Sequence, residues 1–147
     1  MSTDLPSTSP LDEERVEQFA TDVMATFTSG MTTLMIDLAD RTGLLDALAT
    51  GPGTSTQLAE RAGLTERYVR ECLGALTAAS VVSYDAPTAT YAMPAEHAVC
   101  LTGPGSLNLA PMARAITLLA HHVSGVARAS ARAAACPTRS SGRSSRR

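Results

Sequence analysis

Between Thr54 and Met93 the chain reads TSTQLAERAGLTERYVRECLGALTAASVVSYDAPTATYAM, and the spacing of its residues leaves little choice of fold. Thr54 and Gln57 have the separation of a capping box, in which hydroxyl and amide satisfy backbone donors at a helix start. Leu58 and Ala62 give that short helix one apolar stripe. Gly63 supplies a permissive backbone for the turn, and Thr65 followed by Glu66 predicts the cap of a second helix with an acid at its positive end. In that second helix Val69, Cys72, Leu73 and Leu76 recur at i, i+3, i+4 and i+7 and line one face, leaving Arg67, Arg70, Glu71 and Thr77 towards solvent. Val81-Val82-Ser83-Tyr84 and Thr90-Tyr91-Ala92-Met93 are β-prone, and Asp85-Ala86-Pro87-Thr88 between them has turn chemistry. Helix, tight turn, helix and hairpin in this order make a winged helix-turn-helix.

Four further pieces carry a family likeness: Met35-Ile-Asp-Leu-Ala-Asp-Arg-Thr-Gly-Leu-Leu-Asp-Ala-Leu48, Thr54-Ser-Thr-Gln-Leu-Ala-Glu-Arg-Ala-Gly-Leu64, Glu66-Arg-Tyr-Val-Arg70 and Tyr91-Ala-Met-Pro-Ala-Glu-His97. From about Phe27 to Leu101 the chain resembles the N-terminal winged-helix domain that precedes the catalytic domain in bacterial S-adenosylmethionine-dependent methyltransferases, some of them labelled transcriptional regulators. The resemblance covers roughly half the chain and falls on the accessory domain, not the catalytic one. It implies a domain that pairs subunits and lines one wall of a substrate pocket, with S-adenosylmethionine as the cofactor of the full-length family.

At 147 residues one domain is the default. No uninterrupted apolar run reaches the ~18 residues of a membrane span, and the start, MSTDLPSTSPLDEER, lacks the basic and apolar regions of a secretory signal. The expectation is a cytoplasmic protein without a membrane partner. Cys72, Cys100 and Cys136 are odd in number and far apart, which suggests neither a disulfide framework nor a thiolate metal site, and Cys72 reads as a small core residue. The net charge of −2 hides a division: the fourteen acids all lie between Asp4 and Glu96, while Arg128, Arg132, Arg139, Arg143, Arg146 and Arg147 crowd the last twenty positions. Every basic residue is arginine.

In chain order, residues 1–10 are expected as a disordered lead and 11–101 as the winged-helix and dimerisation domain. Val16, Phe19, Ala20, Val23, Met24 and Phe27 form the stripe of a first amphipathic helix. Ser29-Gly30 is expected to break it, and Met31, Leu34, Met35, Leu38, Leu45 and Leu48 to continue a second helix that bends near Gly43. Gly51-Pro52-Gly53 reads as a loop, and Pro94 to Leu101 as a short helix with proline in its first turn. Residues 107–125 are expected as a helix leading to a missing catalytic domain, with Met112, Ile116, Leu119 and Val123 spaced as a buried stripe. From 126 to 147 arginine, serine and alanine dominate without an apolar period, which predicts a disordered tail, and the abrupt change leads to the hypothesis of an out-of-frame reading of a GC-rich gene, to be tested by sequencing the locus in all three frames.

Catalytic residues are not found. Methyl transfer in the superfamily that the chain resembles uses a strand, a Gly-rich turn and a helix to cradle the cofactor. Gly51-Pro52-Gly53 and Gly103-Pro104-Gly105 both contain proline and follow no buried strand, so no cofactor-binding residue is assigned. His121 and His122 are adjacent and diverge by about 100° on a helix, which rules them out as an i, i+4 metal pair. His97 reads as a surface histidine with no acid or nucleophile beside it. No metal site and no catalysis by this chain alone are expected.

Two functions of the fold remain. In a DNA-binding regulator Thr65, Arg67 and Arg70 would touch phosphates or base edges from the second helix of the motif. Charge opposes this: between Thr54 and Met93 the arginines 61, 67 and 70 face Glu60, Glu66, Glu71 and Asp85, a net −1 where a polyanion demands a basic surface. Favoured instead is a structural, dimerising role, because the helices flanking the motif carry more apolar stripe than a small winged helix can cover, and such surplus meets a second subunit. A homodimer follows as the expectation.

Overall fold

The computed structural model describes residues 11–134. Helix α1 (Glu13–Arg41) is one helix of 29 residues. Asp12 caps it by accepting from the Arg15 N–H at 3.2 Å, with Glu13 and Glu14 in the first turn and Arg41 in the last, each charge favourable at its end of the helix dipole. The break expected at Ser29-Gly30 does not occur. An interior glycine costs about 1 kcal/mol relative to alanine, which is too little to split a helix that propagates from both sides. The hydroxyls nearby do not compete with the backbone ladder either: Thr28, Ser29, Thr32 and Thr33 each donate to the carbonyl four residues back. The chain parts from α1 at Gly43 instead, where φ is +74°, so the bend expected there is an interruption, and α2 (Leu44–Ala49) starts anew with Leu44, Leu45, Ala47 and Leu48 all buried.

The capping box forms as the sequence predicts. Thr54 Oγ1 accepts from the Gln57 N–H at 3.3 Å, Gln57 Oε1 accepts from the Thr54 N–H at 2.9 Å, and α3 (Ser55–Ala62) follows. Gly63 turns the chain with φ +66°, a conformation that glycine adopts without penalty. Helix α4 (Glu66–Ala78) buries Val69, Cys72, Leu73 and Leu76. Thr65 occupies its N-cap position but makes no side-chain cap bond. The Glu66 carboxylate is engaged across the turn, accepting from Ser55 Oγ at 2.7 Å and thereby tying the starts of α3 and α4.

The wing is shorter than the β-prone runs. Strands β1 (Ser83–Asp85) and β2 (Thr90–Ala92) pair antiparallel with Tyr84 opposite Tyr91, their rings 4.7 Å apart. Val81 and Val82 stay outside the strand because Val82 is pulled into the core, 2% exposed, and both their amides bond back to the Leu76 carbonyl. Gly53, expected in a loop, forms an isolated antiparallel bridge with Tyr91 through two hydrogen bonds of 3.1 and 2.8 Å. A Cβ there would lie 3.1 Å from the Arg61 guanidinium, a tight contact that glycine avoids.

Helix α5 (Ala95–Leu101) follows Pro94, and α6 (Ala110–Ala120) and α7 (Val123–Ala134) close the described chain. The core gathers Leu44, Leu45, Leu48, Leu58, Leu73 and Leu76 between α1, α2, α3 and α4. Two expectations for the C-terminal region fail. The stripe Met112, Ile116, Leu119 and Val123 is exposed, because α6 lies on α1 through Ala110 and Ala113, small residues that allow close approach. Disorder does not start at 126 either: α7 runs to Ala134, since alanine and arginine are strong helix formers even without an apolar period. Residues 1–10 and 135–147, with Cys136 and the last four arginines, lie outside the described residues.

Candidate functional site

Two surfaces and one ionic cluster stand out as candidates. The first carries the residues that a DNA-binding reading singles out. Thr65 stands at the N-cap of α4, and Arg67 is exposed in its first turn. Arg70 is exposed but pairs with Glu66 at 3.6 Å. Arg61 is spent on structure, donating to the Gly51 carbonyl at 2.7 Å and the Pro52 carbonyl at 2.9 Å, which clamps the loop before α3. Of the three arginines in the motif, two are thus engaged within the fold, and the wing between Ser83 and Ala92 holds Asp85 and no cation.

The second surface is apolar. The chain's two phenylalanines, Phe19 and Phe27, are 70% and 63% exposed on α1. Val16, Met24, Met31 and Leu34 extend the same face, which spans about 140° of the helix at 100° per residue. On α6 and α7, Met112, Ile116, Leu119, Val123 and Val126 form a second exposed row. Apolar faces of this extent on an otherwise acidic body mark contact surfaces.

Between these faces lies an ionic latch that spacing alone does not show. Asp37 on α1 is buried, and its Oδ1 accepts from Arg41 Nε at 2.8 Å. From α6 Arg114 reaches the same oxygen at 3.8 Å and donates to Asp40 Oδ2 at 2.8 Å. The Arg41 hydrogen bond, aided by the charges of Arg41 and Arg114, holds the Asp37 carboxyl below the ordinary aspartate range although burial opposes this. Asp37 and Arg41 are legible as an i, i+4 pair. Arg114, 74 residues from its partner Asp40, is not.

The histidines and cysteines take structural places. His97 is half-buried, and its Nδ1–H donates to the Val81 carbonyl at 2.9 Å, fastening α5 to the segment after α4. The surface position expected for it gives way to this anchor, whose acceptor is main chain and leaves no mark in the sequence. His121 and His122 are exposed in the turn between α6 and α7. Burial raises the Cys72 thiol above its usual value, so it remains neutral in the core. Among the described residues no cluster of His, Cys, Asp or Glu has the makings of a metal site, and no helix is long and apolar enough to cross a membrane.

A family model, the Rv2258c-like winged HTH domain, matches residues 30–103, half of the chain. The chain belongs to this family. Among solved structures the Rv2258c-like domain described here is similar to PigF, solved with SAH, at a TM-score of 0.62 and 22% identity over 78% of this chain and 33% of that one. It is also similar to the mitomycin 7-O-methyltransferase MmcR, at a TM-score of 0.55 and 28% identity over 69% of this chain and 29% of that one. No curated protein matches. The Rv2258c-like chain spans about a third of the length of these solved structures. Its resemblance to the winged-helix domain of methyltransferases therefore stands, and so does the mainly helical fold with a hairpin wing.

Proposed function

We propose that the chain is the dimerising and substrate-capping domain of a small-molecule methyltransferase, a part that performs no methyl transfer alone. The observation that supports this most is the pair of exposed apolar faces, one on α1 and one on α6 and α7, since an isolated winged helix has no use for them. A second copy of the chain covers the α1 face. In the complete enzyme the same helices border the substrate, and α6 leads towards the domain that holds S-adenosylmethionine. The paired arginines and the acidic wing weigh against the regulator reading, in which Thr65, Arg67 and Arg70 touch DNA.

Two measurements test the reading on the chain as it stands. Sedimentation velocity across a concentration series is expected to show a dimer, and calorimetric titration with S-adenosylmethionine to show no heat of binding. Saturable S-adenosylmethionine binding would overturn the claim that the cofactor site lies elsewhere. Salt-sensitive, sequence-selective DNA binding that is lost on Arg67→Ala would favour the regulator instead.

A further inference from the structure

Where the end of α1 faces the start of α4, the fold leaves a cavity of about 330 Å³ that opens to solvent on one side. Leu44 and Val69, each 1% exposed, and the Cys72 thiol form its floor. Leu38 and the Tyr68 ring, 45% and 72% exposed, stand at its mouth. No charged side chain lines it. An apolar cavity of about 150 Å³ already admits benzene, so this one has room for two fused rings. Thr65 sits at the rim, at the N-cap of α4, yet leaves its hydroxyl out of the cap. The Thr42 hydroxyl is committed to the Leu38 carbonyl at 2.8 Å, and that of Tyr68 belongs to the exposed ring at the mouth.

We propose that this cavity binds a neutral, two-ring aromatic molecule carrying one hydroxyl, with the rings on the aliphatic floor beneath Tyr68 and the hydroxyl on Thr65. Charged analogues are excluded because the wall offers no counter-ion for a carboxylate leaving water. The site is built from residues of one chain and needs no catalytic domain, so it goes beyond the scaffold reading; Leu38 at its mouth continues the apolar face of α1, so a second copy seated on that face borders the opening. It lies where the helix-turn-helix meets α1, and an occupant braces Val69 and Cys72 of α4 against Leu38 of α1.

The probe is 2-naphthol, with naphthalene and 2-naphthoate as comparators, titrated by fluorescence into the full chain, which contains no tryptophan to interfere. Saturable 1:1 binding of 2-naphthol is expected, weaker binding of naphthalene, and none of 2-naphthoate. Thr65→Val should weaken 2-naphthol about fivefold, the worth of one neutral hydrogen bond, and leave naphthalene unchanged. Tyr68→Ala, at an exposed position that spares the core, should weaken both neutral ligands about three- to tenfold. Cys72→Leu, which fills the floor, should abolish binding while circular dichroism reports a folded chain. Absence of saturable 2-naphthol binding, equal affinity for 2-naphthoate, or binding undiminished by Thr65→Val and Tyr68→Ala would overturn the proposal. The last outcome would assign the signal to the exposed faces of α1 or α6.

Discussion

Replacing both phenylalanines of α1 with serine tests the dimer where it should be most sensitive. A phenylalanine side chain presents about 200 Å². With Phe19 70% and Phe27 63% exposed in the single copy, each has about 130 Å² left to bury. At about 25 cal/mol per Å² that is about 3 kcal/mol per ring. In a two-fold dimer every substitution occurs twice, so losing one ring per subunit removes about 6 kcal/mol, or about four powers of ten in the dissociation constant. This is an upper bound, since neighbours close in around a truncated contact. The double variant Phe19→Ser, Phe27→Ser should therefore sediment as a monomer at concentrations where the unsubstituted chain is a dimer. Its helix-turn-helix should melt almost unchanged, because neither ring belongs to the core. A dimer that survives the double substitution, or an unsubstituted chain that is monomeric at tens of micromolar, refutes the reasoning.

Two further substitutions probe the scaffold. Thr54→Ala removes the hydroxyl half of the capping box at α3 and should lower stability by about 1 kcal/mol in denaturant unfolding. Asp37 carries a pH dependence of definite sign. Its folded-state value lies below the unfolded one, so its contribution is fully present above the ordinary aspartate range and is lost as pH falls through the folded value. Acid unfolding should accordingly be shallower in Asp37→Asn, which has no carboxylate to protonate there; an unchanged acid limb would show that the latch to Arg41 and Arg114 does not stabilise the fold.

The helix-turn-helix was legible because each of its signals is local. Thr54 with Gln57, Gly63, and the run Val69, Cys72, Leu73, Leu76 all act within a few residues, and the structure keeps every one. What escaped sequence reading depends on competition or distance. Gly30 looks like a breaker until its modest cost is set against the helix on both sides of it. In α6 the spacing of the largest apolar residues predicts a core face, yet Ala110 and Ala113 are the buried ones because close helix approach and the reach of Arg114 to Asp40 decide the orientation. Helix α7 carries no run of large apolar residues beyond Val123 and Val126, and its alanines and arginines supply helix propensity instead. The candidate surfaces follow the same division: Arg67 and Arg70 are visible in the sequence, whereas the Glu66 contact that engages Arg70 together with Ser55 and the cavity beneath Tyr68 exist only once α1, α3 and α4 are assembled.

The first half of α1 has a consequence for how the chain comes to be folded. From Glu13 to Met31 nearly every side chain faces open solvent, so this rod, about 28 Å long at 1.5 Å per residue, borrows almost nothing from the domain behind it. A solitary helix of that length is marginal in water. Its amides in an unpaired copy should exchange with deuterium within seconds while those of α4 hold, and should slow as the chain is concentrated. In the proposed dimer, order in that segment becomes a property of encounter between molecules and rises with their concentration.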